Sequence, residues 1–393
     1  MLVRKIVNFA KKETVLFAAV LLAFGSMVCV PPDMQYLSYI DYRVLALLFC
    51  LMTVMEGFKS TGFFAAVAGK LLEKVKTFRQ LYLVLVFLCF FTSMWITNDV
   101  ALLTFVPFTV LVLRMTGLEQ EMIPVIVLQT IAANLGSMTT PVGNPQNLYL
   151  YSISGMGIGA FLQIMGPLTL ISAGLIFLIC LIHKDFPIRQ GMLGKEIVGV
   201  RKAGENQVLA VLFFISLLSV FRILSWQLLL LIVLVSCIGI KAFCKEKYLP
   251  LEADFGLLLT FVAFFIFIGN MGRICAVREV LSQVLNGREL LISFLCSQMI
   301  SNVPAAILLS GFTQEYRGLL QGVNIGGLGT LIASLASLIS YKFFAAESEQ
   351  TPAAGTRGRY MLTFTIWNVG MALVLLAAAF LLNGLTQENV GIE

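Results

Sequence analysis

Charge is scarce in this chain of 393 residues: Asp, Glu, Lys and Arg make up 12% of it, against about 25% in an ordinary soluble domain. There is one histidine, and the eight cysteines form no CxxC pair. That argues against a large metalloenzyme centre, and the cysteines read as small reduced hydrophobes inside apolar runs. Neither a GxSxG nor an HExxH motif occurs, so the chain lacks the usual marks of an intramembrane enzyme. No small-x-small cleavage site follows the first apolar run, which therefore reads as an uncleaved helix. What is plentiful is apolar surface: 59% of residues are AVILMFWYC, and mean hydropathy is +0.93. No soluble fold of this size can hide so much, and a disordered chain has the opposite composition. The chain is an integral membrane protein whose first partner is the lipid bilayer.

A helical span takes about 20 apolar residues. The qualifying runs are 14–30, 42–64, 80–113, 120–151, 158–182, 207–223, 226–244, 254–271, 290–313, 318–343 and 360–383. Two are interrupted by polar residues, 80–113 at Thr97-Asn98-Asp99 and 290–313 at Ser301-Asn302-Val303-Pro304. Both read as re-entrant helical hairpins. The expected fold is an all-α polytopic membrane protein with about nine transmembrane helices, two re-entrant hairpins and two broken helices. With a cytoplasmic N-terminus, 20 of the 27 Lys and Arg residues fall on the cytoplasmic side, six on the other, and Lys59 within a span. This obeys the positive-inside rule. The net charge of +6 thus reports topology and implies no nucleic-acid partner.

The two halves repeat one another. Ser93-x-x-x-Thr97-Asn98 recurs as Ser297-x-x-x-Ser301-Asn302, and the stretch Asn134 to Asn147 recurs as Asn324 to Ser337. The chain divides into a cytoplasmic N-terminus 1–13; repeat 1 at 14–182, with hairpin 80–113 and broken helix 120–151; a cytoplasmic loop 183–206; a linking helix 207–223; repeat 2 at 226–383, with hairpin 290–313 and broken helix 318–343; and an external C-terminus 384–393. Five spans precede repeat 2, so it enters the membrane inverted. Inverted repeats with broken helices are a plan of secondary transporters, whose sites lie near the midplane.

Unpaired backbone is costly in lipid, so polar breaks inside apolar runs point to a site. Helix ends offer N–H groups to anions and carbonyls to cations. The candidate binding residues are Ser93, Thr97, Asn98, Asp99, Asn134, Gly136, Thr140, Gly143, Asn144 and Asn147 in repeat 1. Those of repeat 2 are Ser297, Ser301, Asn302, Asn324, Gly326, Gly327, Thr330 and Ser334. Hydroxyl and amide oxygens are hard ligands, so Ser93, Thr97, Asn98 and Asp99 form a candidate Na⁺ site. Asp99 has Val303 as its counterpart, and an acid at membrane depth is functional by default. Its structural alternative is capping the second hairpin arm. Glu56 and Lys59, three apart on a helix, read either as a salt bridge or as part of proton coupling.

The motifs Thr97-Asn98-Asp99-Val100-Ala101-Leu102, Thr140-Pro141-Val142-Gly143-Asn144-Pro145-Gln146-Asn147 and Ser301-Asn302-Val303-Pro304 resemble the ion transporter superfamily over essentially the whole chain. That group includes divalent-anion/sodium symporters, citrate-transporter-like permeases, arsenite permeases and a class of Na⁺/H⁺ antiporters. Bacterial inner-membrane permeases with the citrate-transporter-like domain are the nearest in pattern. The resemblance implies a multi-pass protein of the bacterial cytoplasmic membrane, dimeric with itself, working by an elevator-like movement. It implies no cofactor, a small anionic solute, and Na⁺ or H⁺ as coupling ion. In the dicarboxylate symporters both tips read Ser-Asn-Thr. Asp99 and Val303 replace the third residue here, and an acid at that place repels a dianion unless it is protonated or holds Na⁺. The expected function is coupled anion transport. The alternatives are Na⁺/H⁺ exchange at Asp99, arsenite-type efflux, or a membrane sensor that binds without transport.

Overall fold

The computed structural model describes residues 13–188, 203–243 and 253–390. These residues form α-helices and no β-strand. In chain order they are α1 (Thr14–Cys29), α2 (Tyr36–Tyr39), α3 (Tyr42–Ser60), α4 (Phe63–Leu72), α5 (Phe78–Ser93), α6 (Asn98–Met115), α7 (Met122–Ser137), α8 (Pro145–Ser154) and α9 (Ile158–Ile182). After the linking helix α10 (Ala203–Val220) come α11 (Trp226–Phe243), α12 (Phe255–Arg273), α13 (Cys275–Leu285), α14 (Glu289–Ile300), α15 (Asn302–Ser310), α16 (Tyr316–Ile325), α17 (Leu335–Gln350) and α18 (Arg357–Val390).

Side-chain contacts fix the direction of each hairpin. Tyr82 Oη donates to Pro124 O at 3.2 Å, Gln129 Nε2 donates to Leu85 O at 3.0 Å, and Ser93 abuts Gly136. So α5 and α7 run parallel. Gln129 Nε2 also donates to Thr109 Oγ1 at 2.8 Å, while Asn98 Nδ2 reaches Asn134 Oδ1 at 2.8 Å. So α6 runs antiparallel to both. With 18 residues, α6 is long enough to cross about 27 Å, yet it starts at the level where α7 stops. The run 80–113 is therefore a hairpin rooted near Ile123.

In repeat 2, Gly318 packs on Glu289, Gly322 on Ser293 and Gly326 on Ser297, so α14 and α16 are parallel. Thr313 Oγ1 returns to Glu289 Oε1 at 3.0 Å, closing the second hairpin at its root. The two roots lie on opposite sides. Gly355, just before α18, meets Ile123, whereas Asn383, near the end of α18, donates to Gln321 Oε1 at 2.8 Å. The helix from Tyr360 to Asn383 covers about 35 Å at 1.5 Å per residue, slightly more than a bilayer core.

The repeats exchange partners. Helix α1 packs on α12 and α11 on α3; the second arm of each hairpin packs on the second half of the other repeat's broken helix, α6 on α17 and α15 on α8. Arg114 at the end of α6 is tied to Glu347 of α17 at 2.5 Å. On the outer faces, large apolar side chains such as Leu170, Val235 and Leu381 are exposed, as suits contact with lipid tails.

Each repeat also contains a helix beyond the sequence expectation. The run 42–64 is interrupted at Gly62, which adopts a left-handed φ of 72°, and α4 follows as a separate helix. Its counterpart α13 carries Arg278.

Candidate functional site

The broken helices leave gaps at residues 138–144 and 326–334. Thr-Thr-Pro in the first and Gly-Gly-Leu-Gly in the second explain why: proline removes a donor, and glycine weakens a helix. The gaps meet near mid-layer, and the side chains around them cross between repeats. Asn134 Oδ1 accepts from Asn98 Nδ2 and from Ser334 Oγ at 3.0 Å, and Asn134 Nδ2 lies 3.5 Å from both Gly327 O and Ser337 Oγ. Reciprocally, Asn324 Nδ2 donates to Asn147 Oδ1 at 2.7 Å. The pairs Asn134–Ser337 and Asn324–Asn147 exchange under the twofold that relates the repeats.

The tips match in detail. Asn98 Oδ1 accepts from Asp99 N and Asn302 Oδ1 from Val303 N, each at 2.9 Å. Thr140 Oγ1 donates to Met94 O, and Thr330 Oγ1 donates to Gln298 O. Thr97 caps α6 through Val100 N, and Asn144 Nδ2 reaches Ser137 Oγ at 2.5 Å. Ser93 and Ser297 stand behind the tips. Their hydroxyls donate to Phe90 O and Ser293 O, and they pack against Gly136 and Gly326. A Cβ on Gly136 would collide with Phe90 O, so only glycine allows this arm and this helix to lie so close. Gly143 sits against Ser137 O, and Gly327 against the Asn302 amide.

Two cavities meet at this crossing. A small one, ≈ 20 Å³, is walled by Asn98, Asp99, Asn144, Pro145, Gln146, Leu257, Asn302, Val303, Ser334 and Leu335. Apart from Leu257 of α12, these are the N-cap and first-turn residues of α6, α8, α15 and α17. Neither α8 nor α17 has a side-chain cap. The positive ends of four helix dipoles thus point at one place, which favours an anion. Gln146 Nε2 is a buried donor without a partner, and Asp99 Oδ1 and Asn324 Oδ1 are buried acceptors without one. The adjoining cavity, ≈ 220 Å³, has room for about seven waters at about 30 Å³ each. It shares Asp99, Asn144 and Pro145, and it adds Trp95, Thr97, Glu56 and Asp254. Glu56 is paired with Lys59 at 2.9 Å, and Asp254 accepts from Leu257 N at 2.9 Å as the cap of α12.

The sequence-nominated residues thus divide. Asn98, Asp99, Asn144, Asn302 and Ser334 line the small cavity, and Thr97 lines the larger one. Asn134, Asn147 and Asn324 form the crossing behind it. Ser93, Gly136, Thr140, Gly143, Ser297, Ser301, Gly326, Gly327 and Thr330 shape the backbone around it. Gln146, Gln298 and Asp254 were not among the nominated residues, and Glu56 was read only as a partner of Lys59, with which it does pair. Gln146 lies between Asn144 and Asn147 and could have been found by the motif itself. Asp254 has no local signal, because it reaches the cavity from another helix. Among the described residues no group of three or more His, Cys, Asp or Glu is placed to hold a metal ion.

A family model described as citrate transporter matches residues 6–315. The chain is similar to "Uncharacterized transporter MJ0456" of Methanocaldococcus jannaschii, 31% identical over 79% of this chain and 83% of the relative. It is also similar to "Inner membrane protein YbiR" of Escherichia coli, 30% identical over 77% and 80%. A shorter match joins 39% of the chain to 31% of the silicon efflux transporter LSI3 of Oryza sativa, 29% identical. The chain belongs to the citrate transporter family: it is a multi-pass membrane transporter that acts on a small solute in the bilayer.

Proposed function

We propose that this member of the citrate transporter family is a secondary transporter that moves a small anion, a carboxylate or an inorganic oxyanion, across the bacterial cytoplasmic membrane, coupled to Na⁺ or H⁺. The observation that carries this reading is the convergence of four helix N-termini on one mid-layer cavity with the unpartnered Gln146 Nε2 in its wall. That donor set suits anion oxygens. Asp99 beside it supplies the coupling site: with Na⁺ or a proton bound, the acid no longer repels the anion. The parallel packing of α5 on α7 and α14 on α16 supports movement of hairpins and broken helices as one elevator body. The protein works as a homodimer, with its N-terminus cytoplasmic and its C-terminus external.

The test is uptake of labelled citrate, smaller carboxylates and oxyanions into proteoliposomes under imposed Na⁺ and pH gradients. Gradient-dependent accumulation of at least one anion is expected, and its absence for all of them overturns the reading. A second reading, Na⁺/H⁺ exchange, is favoured by the unpartnered Asp99 Oδ1 beside Asp254. Na⁺-evoked proton movement without any organic anion, lost in Asp99→Asn, would select it.

A further inference from the structure

Gln298 has no counterpart in repeat 1, where Met94 holds the same place one residue after the paired serines. Its Nε2 donates to Gly326 O and to Leu328 O, both at 2.9 Å, and lies 3.3 Å from Phe294 O. Its Oε1 accepts from Thr330 N at 3.0 Å. Carbonyls only accept and an N–H only donates, so this amide orientation is the one its partners require. Two carbonyl oxygens of the broken helix thus turn toward a single nitrogen, with the i−4 carbonyl of its own helix behind it. Such convergence of hard oxygens is what a small cation requires, and here an amide NH₂ meets it.

The backbone is fitted to that amide. Gly329 has a φ of 111°, and a Cβ there would strike Gln298 Oε1. Its repeat-1 counterpart is Thr139, whose hydroxyl donates to Gly136 O at 2.7 Å. The glutamine and the glycine form a matched pair in repeat 2, replaced by methionine and threonine in repeat 1. A methionine side chain has no N–H to offer carbonyls.

We infer that Gln298 is a built-in plug: its carboxamide fills, in repeat 2, a carbonyl-lined position that would otherwise take a monovalent cation such as Na⁺. Any coupling cation is thereby confined to the Asp99 side. The confinement rests on the transport reading above; the plug does not.

The test is thermal stability of the purified full-length protein in NaCl and in choline chloride, with Asp99→Asn as the background that removes the repeat-1 acid. Gln298→Met in that background should gain a Tm that climbs with the logarithm of Na⁺ concentration, by about 3 °C or more across the titration. The background with Gln298 intact should show no such climb. A Na⁺ response equal in both proteins, or absent from both, overturns the plug. If Gln298→Met yields no folded protein in either salt, Gln298→Glu decides. A carboxylate facing those carbonyls needs a cation, so its stability should depend on Na⁺, and indifference to Na⁺ overturns the inference. Failure of anion uptake by the wild type would sink the transport reading and leave this result standing.

Discussion

The two hairpin tips are built alike and finished differently. Each places an asparagine whose Oδ1 accepts from the next backbone N–H at 2.9 Å. Each rests its first arm on a broken helix through a serine-on-glycine contact. The second tip is closed by its own chain: Asn302 N and Ser301 Oγ both donate to Ala333 O, and Gln298 satisfies the facing carbonyls. Ser301 makes that turn at a φ of 73° and ψ of 155°, a region nearly reserved for glycine. The first tip is left open, with an acid whose Oδ1 has no partner. Duplication supplies the frame, and of the two tip residues at the third position only Asp99 carries an unfilled polar valence.

The largest effect should come from steric damage to that shared frame. Gly136→Val forces a side chain against the backbone of Phe90 and should cost about 3 kcal/mol or more, seen as loss of folded protein on size-exclusion chromatography. Gly326→Ala brings a smaller side chain to 2.6 Å from Ser297 and 2.7 Å from Gly322 O, against a closer approach to Phe90 O at Gly136, and should be milder. Next, Asn134→Ala strands Asn98 Nδ2 and Ser334 Oγ and should lose about 2–3 kcal/mol. Asn324→Ala, which removes one donor to Asn147, should lose about 1 kcal/mol; thermal unfolding in detergent measures both. Asp99→Asn should abolish gradient-driven flux while leaving Tm within a few degrees, since that carboxylate satisfies little in the resting fold. Comparing flux and Tm in one preparation separates function from folding.

The smallest effect is at the root of the first hairpin. The Thr77 hydroxyl, then the Arg79 amide and guanidinium, hold the exposed Asp185 carboxyl below its ordinary value. An acid depressed by folding contributes its stabilisation above the unfolded value and loses it as pH falls through the folded one. The protection of the Arg79 amide against hydrogen exchange, taken relative to its intrinsic rate at each pH, should therefore fall below about pH 4, the ordinary Asp range. At the second hairpin root it is a neutral donor, Thr313 Oγ1, that meets the Glu289 carboxyl.

Much of the frame was legible because lipid penalises exceptions. Thr97-Asn98 and Ser301-Asn302 stand out in apolar runs, and helices do end there. Helices α4 and α13 were not legible: at 10 and 11 residues they are too short for a span, and α4 continues an apolar run past a glycine. The crossing partners were invisible for a different reason. Nothing near Asn134 in sequence says that its amide meets Ser334 and Ser337. Gln298 was passed over because a glutamine in an apolar arm declares its role only through the carbonyls around it.

The partner exchange has a consequence for how the protein is made. Asn134 meets Ser334 and Ser337, 200 and 203 residues further along the chain. The first repeat therefore leaves the ribosome with the Asn134 Oδ1 met by Asn98 but its Nδ2 still without the repeat-2 acceptors, and it must wait in the membrane until the second has been translated. Synthesis at about 5–20 residues per second makes that wait tens of seconds. A chain stopped anywhere before residue 334 keeps Asn134 permanently without its Ser334 and Ser337 partners.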